Sequence, residues 1–150
     1  MDLAGLIARV AGSWEGVNRL RLMPDDEYAE STATASIRVV AGQFASIAYT
    51  WFDGDVPQDG LAVIEGPLDD LKAVWMDSWH SSPAWMTFTG REQGGTLVLE
   101  GSYAAGSGPD WGWNIHVHVD EQSHPRLTMH NVMPGHDPYQ VVELELHRRI

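Results

Sequence analysis

Two short stretches hold the side chains best suited to chemistry. In Asp77-Ser78-Trp79-His80 an acid, a hydroxyl and an imidazole follow one another. Neighbours in a strand point to opposite faces, so Asp77 and Ser78 cannot belong to one catalytic triad. Asp77 does share a face with Trp75 and Trp79, and an acid set between indoles must be paired or take part in binding. It is a candidate acid or base, with His80 or Asn131 beside it, and a candidate anchor for a ligand. His116-Val117-His118 puts two imidazoles on one strand face, where His130 and Asp120 are the partners that would complete a metal site. These histidines alternate with Trp113, Ile115 and Val117, so a solvent-facing pair without metal is the expectation.

Three further patterns are weaker. Gly106-Ser107-Gly108 is a loop without the Lys-Ser/Thr and helix that a phosphate loop requires. Glu143, Glu145 and His147 share one strand face and read as solvated. Asn131 shares the face of Leu127 and Met129, which puts a polar group inside the fold or at its mouth.

The elements that must position these groups are almost all strands. Asp2 to Ala11 is the exception: Leu3, Leu6, Ile7 and Val10 make one apolar stripe at helical spacing. Asp2 is its expected cap and Gly12 its expected stop. From Ser13 the period changes to two. Trp14, Leu20 and Leu22 fall on one face, and Glu15, Arg19 and Arg21 on the other. Strand patterns then run through Tyr28–Val40, Phe44–Asp53, Leu61–Glu65, Leu71–His80, Trp85–Arg91, Thr96–Tyr103, Trp111–Val119, a stretch marked by Leu127, Met129 and Met133, and Tyr139–Arg148. Turns are expected at Pro24-Asp25-Asp26, Ala41-Gly42-Gln43, Asp53-Gly54-Asp55, Ser81-Ser82-Pro83, Gly94-Gly95 and Pro134 to Pro138. About ten short, regularly spaced strands predict a single all-β domain built as an antiparallel barrel, with the helix across one end.

Composition narrows the partners. The chain has 150 residues, a net charge of −12 and no cysteine, so disulfides and thiolate chemistry are absent. An acidic surface repels phosphate backbones and anionic lipid, so neither nucleic acid nor membrane is an expected partner. Met1-Asp2-Leu3 starts no leader and no long apolar run follows, which predicts a cytoplasmic protein. Seven tryptophans suit a core or a pocket.

A short helix, then Gly12-Ser13-Trp14, then an up-and-down run of strands with a basic residue at its end, resembles a lipocalin-like (calycin) barrel. The resemblance implies that the Trp14 indole closes one barrel end under an arginine. Arg148 shares a face with Leu144 and Leu146, so it is the arginine expected over Trp14, with Arg149 turned away. The chain is also similar to a bacterial lipocalin-like family known only as a domain of unknown function. That similarity runs through Gly12 to Asn18, Tyr49-Thr50-Trp51, Asp77-Ser78-Trp79-His80 and Pro109-Asp110-Trp111-Gly112-Trp113, and it implies a fold and no activity. Some lipocalin-like barrels hold haem on a histidine near the C-terminus. Here parity turns His147 outward with the glutamates, so no cofactor is expected.

The expected function is binding of a small, mainly apolar molecule inside the barrel, against Trp14, Tyr49, Trp51, Trp75, Asp77, Trp79, Trp113, Met129 and Asn131. An enzyme using Asp77 in the same cavity, and a packed barrel acting through a protein partner or as a homodimer, are the alternatives. Trp75, Asp77 and Trp79 are expected to face inward, because two indoles bury more apolar area than Val74 and Met76. Asp77→Asn is then expected to alter ligand binding more than stability.

Overall fold

Asp2 caps the N-terminal helix as its position suggests. In the computed structural model, which describes residues 1–81 and 84–149, its carboxylate accepts the Gly5 N–H at 2.8 Å. The helix α1 (Leu3–Ala8) buries Leu3, Leu6 and Ile7, with Val10 just beyond. It ends at Arg9, earlier than the apolar stripe suggested. Gly12 is therefore not the helix stop. It opens strand β1 (Gly12–Leu20) with φ +136°, and a Cβ there would lie 2.7 Å from Nη1 of Arg148. Both facts demand glycine.

Nine more strands follow: β2 (Ala29–Val40), β3 (Phe44–Asp53), β4 (Val56–Glu65), β5 (Leu71–Asp77), β6 (Met86–Gln93), β7 (Thr96–Tyr103), β8 (Trp111–Val119), β9 (Pro125–Val132) and β10 (Tyr139–Arg148). Each pairs antiparallel with its sequence neighbour, and β10 returns to pair with β1. The result is a closed ten-stranded up-and-down barrel, which leaves no edge strand among the described residues. The all-β barrel and the short helix are thus as the alternation predicts.

Several boundaries differ from those the alternation suggested, among them the start of β2 at Ala29 and the span of β6. β4 begins at Val56 rather than Leu61, because β3 templates it through Pro57 and Asp59, which are poor strand formers by themselves. β5 stops at Asp77 rather than His80, because the Asp77 side chain turns the chain there, as described below. Met133 falls beyond β9, and Leu22, expected inside with Trp14 and Leu20, lies past the end of β1 and is 59% exposed. The turn at Ser81 runs into Ser82 and Pro83, which lie outside the described residues.

Inward positions alternate strand by strand. One wall is small, with Ala33, Ala35, Ala45, Ala62 and Ala73. Against it pack the large side chains, Trp14, Trp51, Trp75, Leu99, Ile115 and Met129 among them, so side chains fill most of the interior. β10 breaks the alternation once. Tyr139 pairs with Asn131 and Val142 with Met129, leaving Val141 as the extra residue of a β-bulge, and both Val141 and Val142 are buried. Unbroken alternation would send Tyr139 outward with Glu143. The bulge turns it inward instead.

The two barrel ends are unlike. At one, α1 crosses the mouth and the Arg148 guanidinium sits 4.3 Å above the Trp14 ring, its register partner. Arg148 also donates to the Ala11 carbonyl, and the Trp14 N–H donates to Val10 at 2.8 Å. The arginine–tryptophan closure expected of the lipocalin-like pattern is therefore present, a contact worth roughly 0.5–2 kcal/mol. Among the described residues, no helix lies across the other end.

Candidate functional site

The open end is organised by three residues in one row across neighbouring strands. Tyr49 of β3 pairs with Gly60 of β4, and Gly60 pairs with Asp77 of β5. A Cβ at position 60 would lie 2.3 Å from the Tyr49 hydroxyl. Glycine thus lets the phenol lie flat across β4 and reach the carboxylate beyond. The Tyr49 O–H donates to Oδ2 of Asp77 at 2.7 Å, the Trp51 N–H donates to the same oxygen at 3.3 Å, and the Trp75 N–H donates to the Tyr49 hydroxyl at 2.9 Å. Burial and the neighbouring Asp77 charge hold the Tyr49 phenol well above its ordinary pKa, so it stays a donor.

The other carboxylate oxygen shapes the chain. Oδ1 of Asp77 accepts the backbone N–H groups of Trp79 at 2.8 Å and His80 at 2.9 Å. The Ser81 hydroxyl accepts the Asp77 N–H at 2.8 Å. These bonds end β5 and fold the next residues into a turn. Asp77 is 3% exposed, as its place between tryptophans suggested, and four donors occupy it. Ser78 points the other way: its hydroxyl donates to Gln58 and accepts the Asp59 N–H. The two side chains lie on opposite faces, which excludes a triad between them.

The turn delivers His80 into the aromatic cluster. Its ring centroid lies 4.7 Å from Trp79, 5.4 Å from Trp113 and 5.8 Å from both Trp51 and Trp75. Trp75 and Trp113 stack at 5.7 Å and 11°. Burial lowers the His80 pKa, with the Asp77 charge opposing, so the ring is neutral at physiological pH. Trp79 departs from its expected inward place. Being in the turn, it is 36% exposed, and its N–H donates to Asp53 at 3.0 Å on the rim.

These side chains border a cavity of about 730 Å³ at the barrel mouth. Trp75, Trp79, His80 and Trp113 form one side, with Trp85, Met86, Tyr103, Asn131, Val141 and Leu22 around the rest. Its polar corner is a chain of hydrogen bonds: Tyr103 O–H to Asn131 Oδ1 at 2.7 Å, Asn131 N–H to Tyr139 Oη at 3.1 Å, and Tyr139 O–H to the Leu22 carbonyl at 3.0 Å. Burial raises the Tyr103 pKa, against its bond to Asn131. A larger depression of about 890 Å³ lies on the outer face between Val63, Lys72, Val74, Thr87 and Glu100, away from the aromatic cluster.

Of the residues expected to meet a ligand, Trp75, Trp79, Trp113 and Asn131 border the mouth cavity. Tyr49, Trp51 and Asp77 stand behind it as a bonded support. Met129 is buried in the packed interior, and Trp14 is at the far, closed end. Trp85, Tyr103, Met86, Val141 and Leu22 border the cavity as well. Parity points to three of them: Tyr103 shares a face with Leu97 and Leu99, Met86 with Phe88, and Leu22 with Leu20. Trp85 sits in a loop, and Val141 is placed by the bulge.

The histidine stripe is on the barrel's outer face, as its alternation predicts, but it is half-buried rather than free in solvent. His116 lies 4.4 Å from His130, ring centroid to centroid. His118 is bracketed by Thr96 at 3.2 Å and Thr128 at 3.1 Å. Asp120 is not among them: it lies past the end of β8 and accepts the N–H groups of Gln122 and His124. Among the described residues, no group of three or more His, Cys, Asp or Glu side chains is arranged to hold a metal ion. Glu143 and Glu145 are likewise outside, where Arg19 bridges them to Glu30.

Compared with families of known sequence, residues 5–148 match the one described as protein of unknown function (DUF1579). Among curated proteins, none matches the chain. No helix among the described residues is long and apolar enough to cross a membrane.

Proposed function

The chain belongs to that family of unknown function, and from this premise we propose that its barrel is of the lipocalin-like kind and binds one small, mainly apolar molecule at its open end. The mouth cavity carries the reading. A volume of about 730 Å³ falls within the range of roughly 300–1,000 Å³ usual for small-molecule sites, and tryptophan faces with a few fixed polar groups are the usual lining. Asp77 acts in this reading as a positioning residue. Its carboxylate fixes Tyr49, Trp51 and the turn that carries Trp79 and His80, and with four donors in place it has no acceptor free for a ligand. The same saturation argues against the alternative of an enzyme with Asp77 as its acid or base.

The test is native mass spectrometry of the full chain purified from its own host. An adduct of small-molecule mass, released on denaturation and absent from a Trp113→Ala variant of native fold, is the expected result. A chain that carries no adduct from its host, and whose tryptophan emission is unmoved by a broad panel of apolar compounds, would overturn the reading.

A further inference from the structure

Four tryptophans are buried: Trp14, Trp51, Trp75 and Trp113. Three have an acceptor for the indole N–H, namely the Val10 carbonyl, the Asp77 carboxylate and the Tyr49 hydroxyl. Trp113 has none among the described residues, although its Nε1 is buried and its ring borders the mouth cavity. Burying such a donor without a partner costs on the order of 1–3 kcal/mol. In a cluster where every other buried indole is bonded, this one N–H lacks an acceptor among the described residues, and a ligand reaches it by displacing the part of the cavity wall that covers it.

The cavity's charge narrows what can bring that acceptor. Among the described residues, no Asp, Glu, Lys or Arg borders it. His80 is neutral there, and Asp77 behind it is fully engaged. A ligand carboxylate would leave water for a site with no cation to receive it, which is a heavy cost. It would also approach an acidic rim. The loops around the open end hold Asp25, Asp26, Glu27, Asp55, Asp110 and Asp137, with Asp53 at the end of β3, against a single arginine, Arg21, on a chain of net charge −12. A cationic ligand would be drawn to the rim, but the one anion inside among the described residues, Asp77, stands behind the cavity wall with its carboxylate already bonded to four donors of the chain. Trp75 and Trp113 stack on each other, so the flat surface open to a ligand is that of Trp79 and Trp85, which line the cavity and are 36% and 65% exposed.

Resting on the binding reading above, we propose that the ligand is an uncharged, flat molecule that brings one oxygen acceptor, of carbonyl, ether or hydroxyl type, to the indole N–H of Trp113.

Four naphthalene probes that differ in one substituent test this by calorimetric titration of the full chain: 2-acetylnaphthalene, 2-ethylnaphthalene, 2-naphthoate and (2-naphthylmethyl)trimethylammonium. The ketone is expected to bind about tenfold more tightly than the hydrocarbon, as one recovered hydrogen bond implies, and more tightly than either ion. Trp113→Phe removes the N–H and should collapse the tenfold preference for the ketone over 2-ethylnaphthalene to about one, whatever the smaller ring costs both probes. A merely structural role for the ring would weaken both alike. In the wild-type chain, the ¹⁵N-detected indole signal of Trp113 should move downfield with the ketone and not with the hydrocarbon, a readout that does not depend on the variant folding. Naphthoate binding as tightly as the ketone, or an unmoved Trp113 signal, overturns the inference and leaves the binding reading standing. Failure of all four probes overturns it too. The binding reading itself then stands or falls on the host-purified adduct.

Discussion

Asp77 and His80 are joined by one hydrogen bond, backbone N–H to carboxylate at 2.9 Å, and through it the wall of the barrel sets the contents of its mouth. The carboxylate is fixed from behind by Tyr49 and Trp51, so the turn it holds inherits their rigidity. His80 reaches the cluster of tryptophans only because β5 ends where it does.

The first prediction concerns that carboxylate. Asp77→Asn was expected from pattern alone to alter binding more than stability, and the four donors reverse this order. An amide presents two N–H groups to a site built only of donors. The variant should lose about 2–4 kcal/mol of stability, since hydrogen bonds to a buried charge are worth roughly 1.5–3 kcal/mol each. Urea denaturation gives the number, and the near-ultraviolet circular dichroism of the tryptophans should change with it. A variant of unchanged midpoint would show that the turn does not depend on the charge.

A second prediction follows from the row Tyr49–Gly60–Asp77. Gly60→Ala places a methyl where the Tyr49 ring lies, and that ring is pinned at its hydroxyl. The phenol must move or the strands must part, at a cost of about 1–3 kcal/mol. Gly54→Ala, with nothing within 4 Å of its Cβ, is a control for glycine's backbone freedom, since its φ of +61° charges only that term. Chemical denaturation of both variants checks the difference.

At the closed end, Arg148→Leu should lower stability by about 0.5–2 kcal/mol, the range of a cation–π contact. It should leave probe affinity at the mouth unchanged, because Arg148 and His80 are at opposite ends of the barrel. Paired thermal-denaturation and titration measurements separate the two effects.

Acid should loosen the fold through the outer histidines. Burial first, then neighbouring positive charge, pushes His118 and His130 down to about 4 from the ordinary 6.5. The unfolded chain takes up these protons earlier than the folded one. Stability from this source is therefore complete above about pH 6.5 and is lost as pH falls toward 4. Arg126 faces both rings, His116 adds to the repulsion, and Glu100 pulls on His116 in the opposite sense. His118→Gln keeps a partner for Thr128 without titrating, and its urea midpoint should fall less between pH 7 and 5 than the wild type's. Equal slopes would remove His118 from the account.

The architecture was legible in the sequence because alternation is a local signal. Trp113, Ile115, Val117 and Val119 announce their inward face without reference to any other strand, and Trp14 and Arg148 meet because both obey the same parity. The mouth was legible only in part. His80 is oriented by a side chain three residues before it, Val141 and Tyr139 by a bulge, and Trp85 by a loop, none of which has a period to read. Trp14 was placed with the binding tryptophans because composition counts indoles without saying which end of a barrel each one occupies. Asp77 was rightly drawn inward, but nothing in a list of residues announces that Gly60, seventeen positions earlier, makes room for the phenol that satisfies it.

The helix and the Arg148–Trp14 pair have a kinetic meaning as well. A barrel packed through its middle and stoppered at one end is a pocket and not a conduit: a ligand of the kind proposed would leave by the mouth it entered. An incoming molecule then cannot push the resident one out from behind, so exchange waits on spontaneous departure. Turnover of bound cargo would be set by its residence time alone, independent of the concentration of the competitor that follows it.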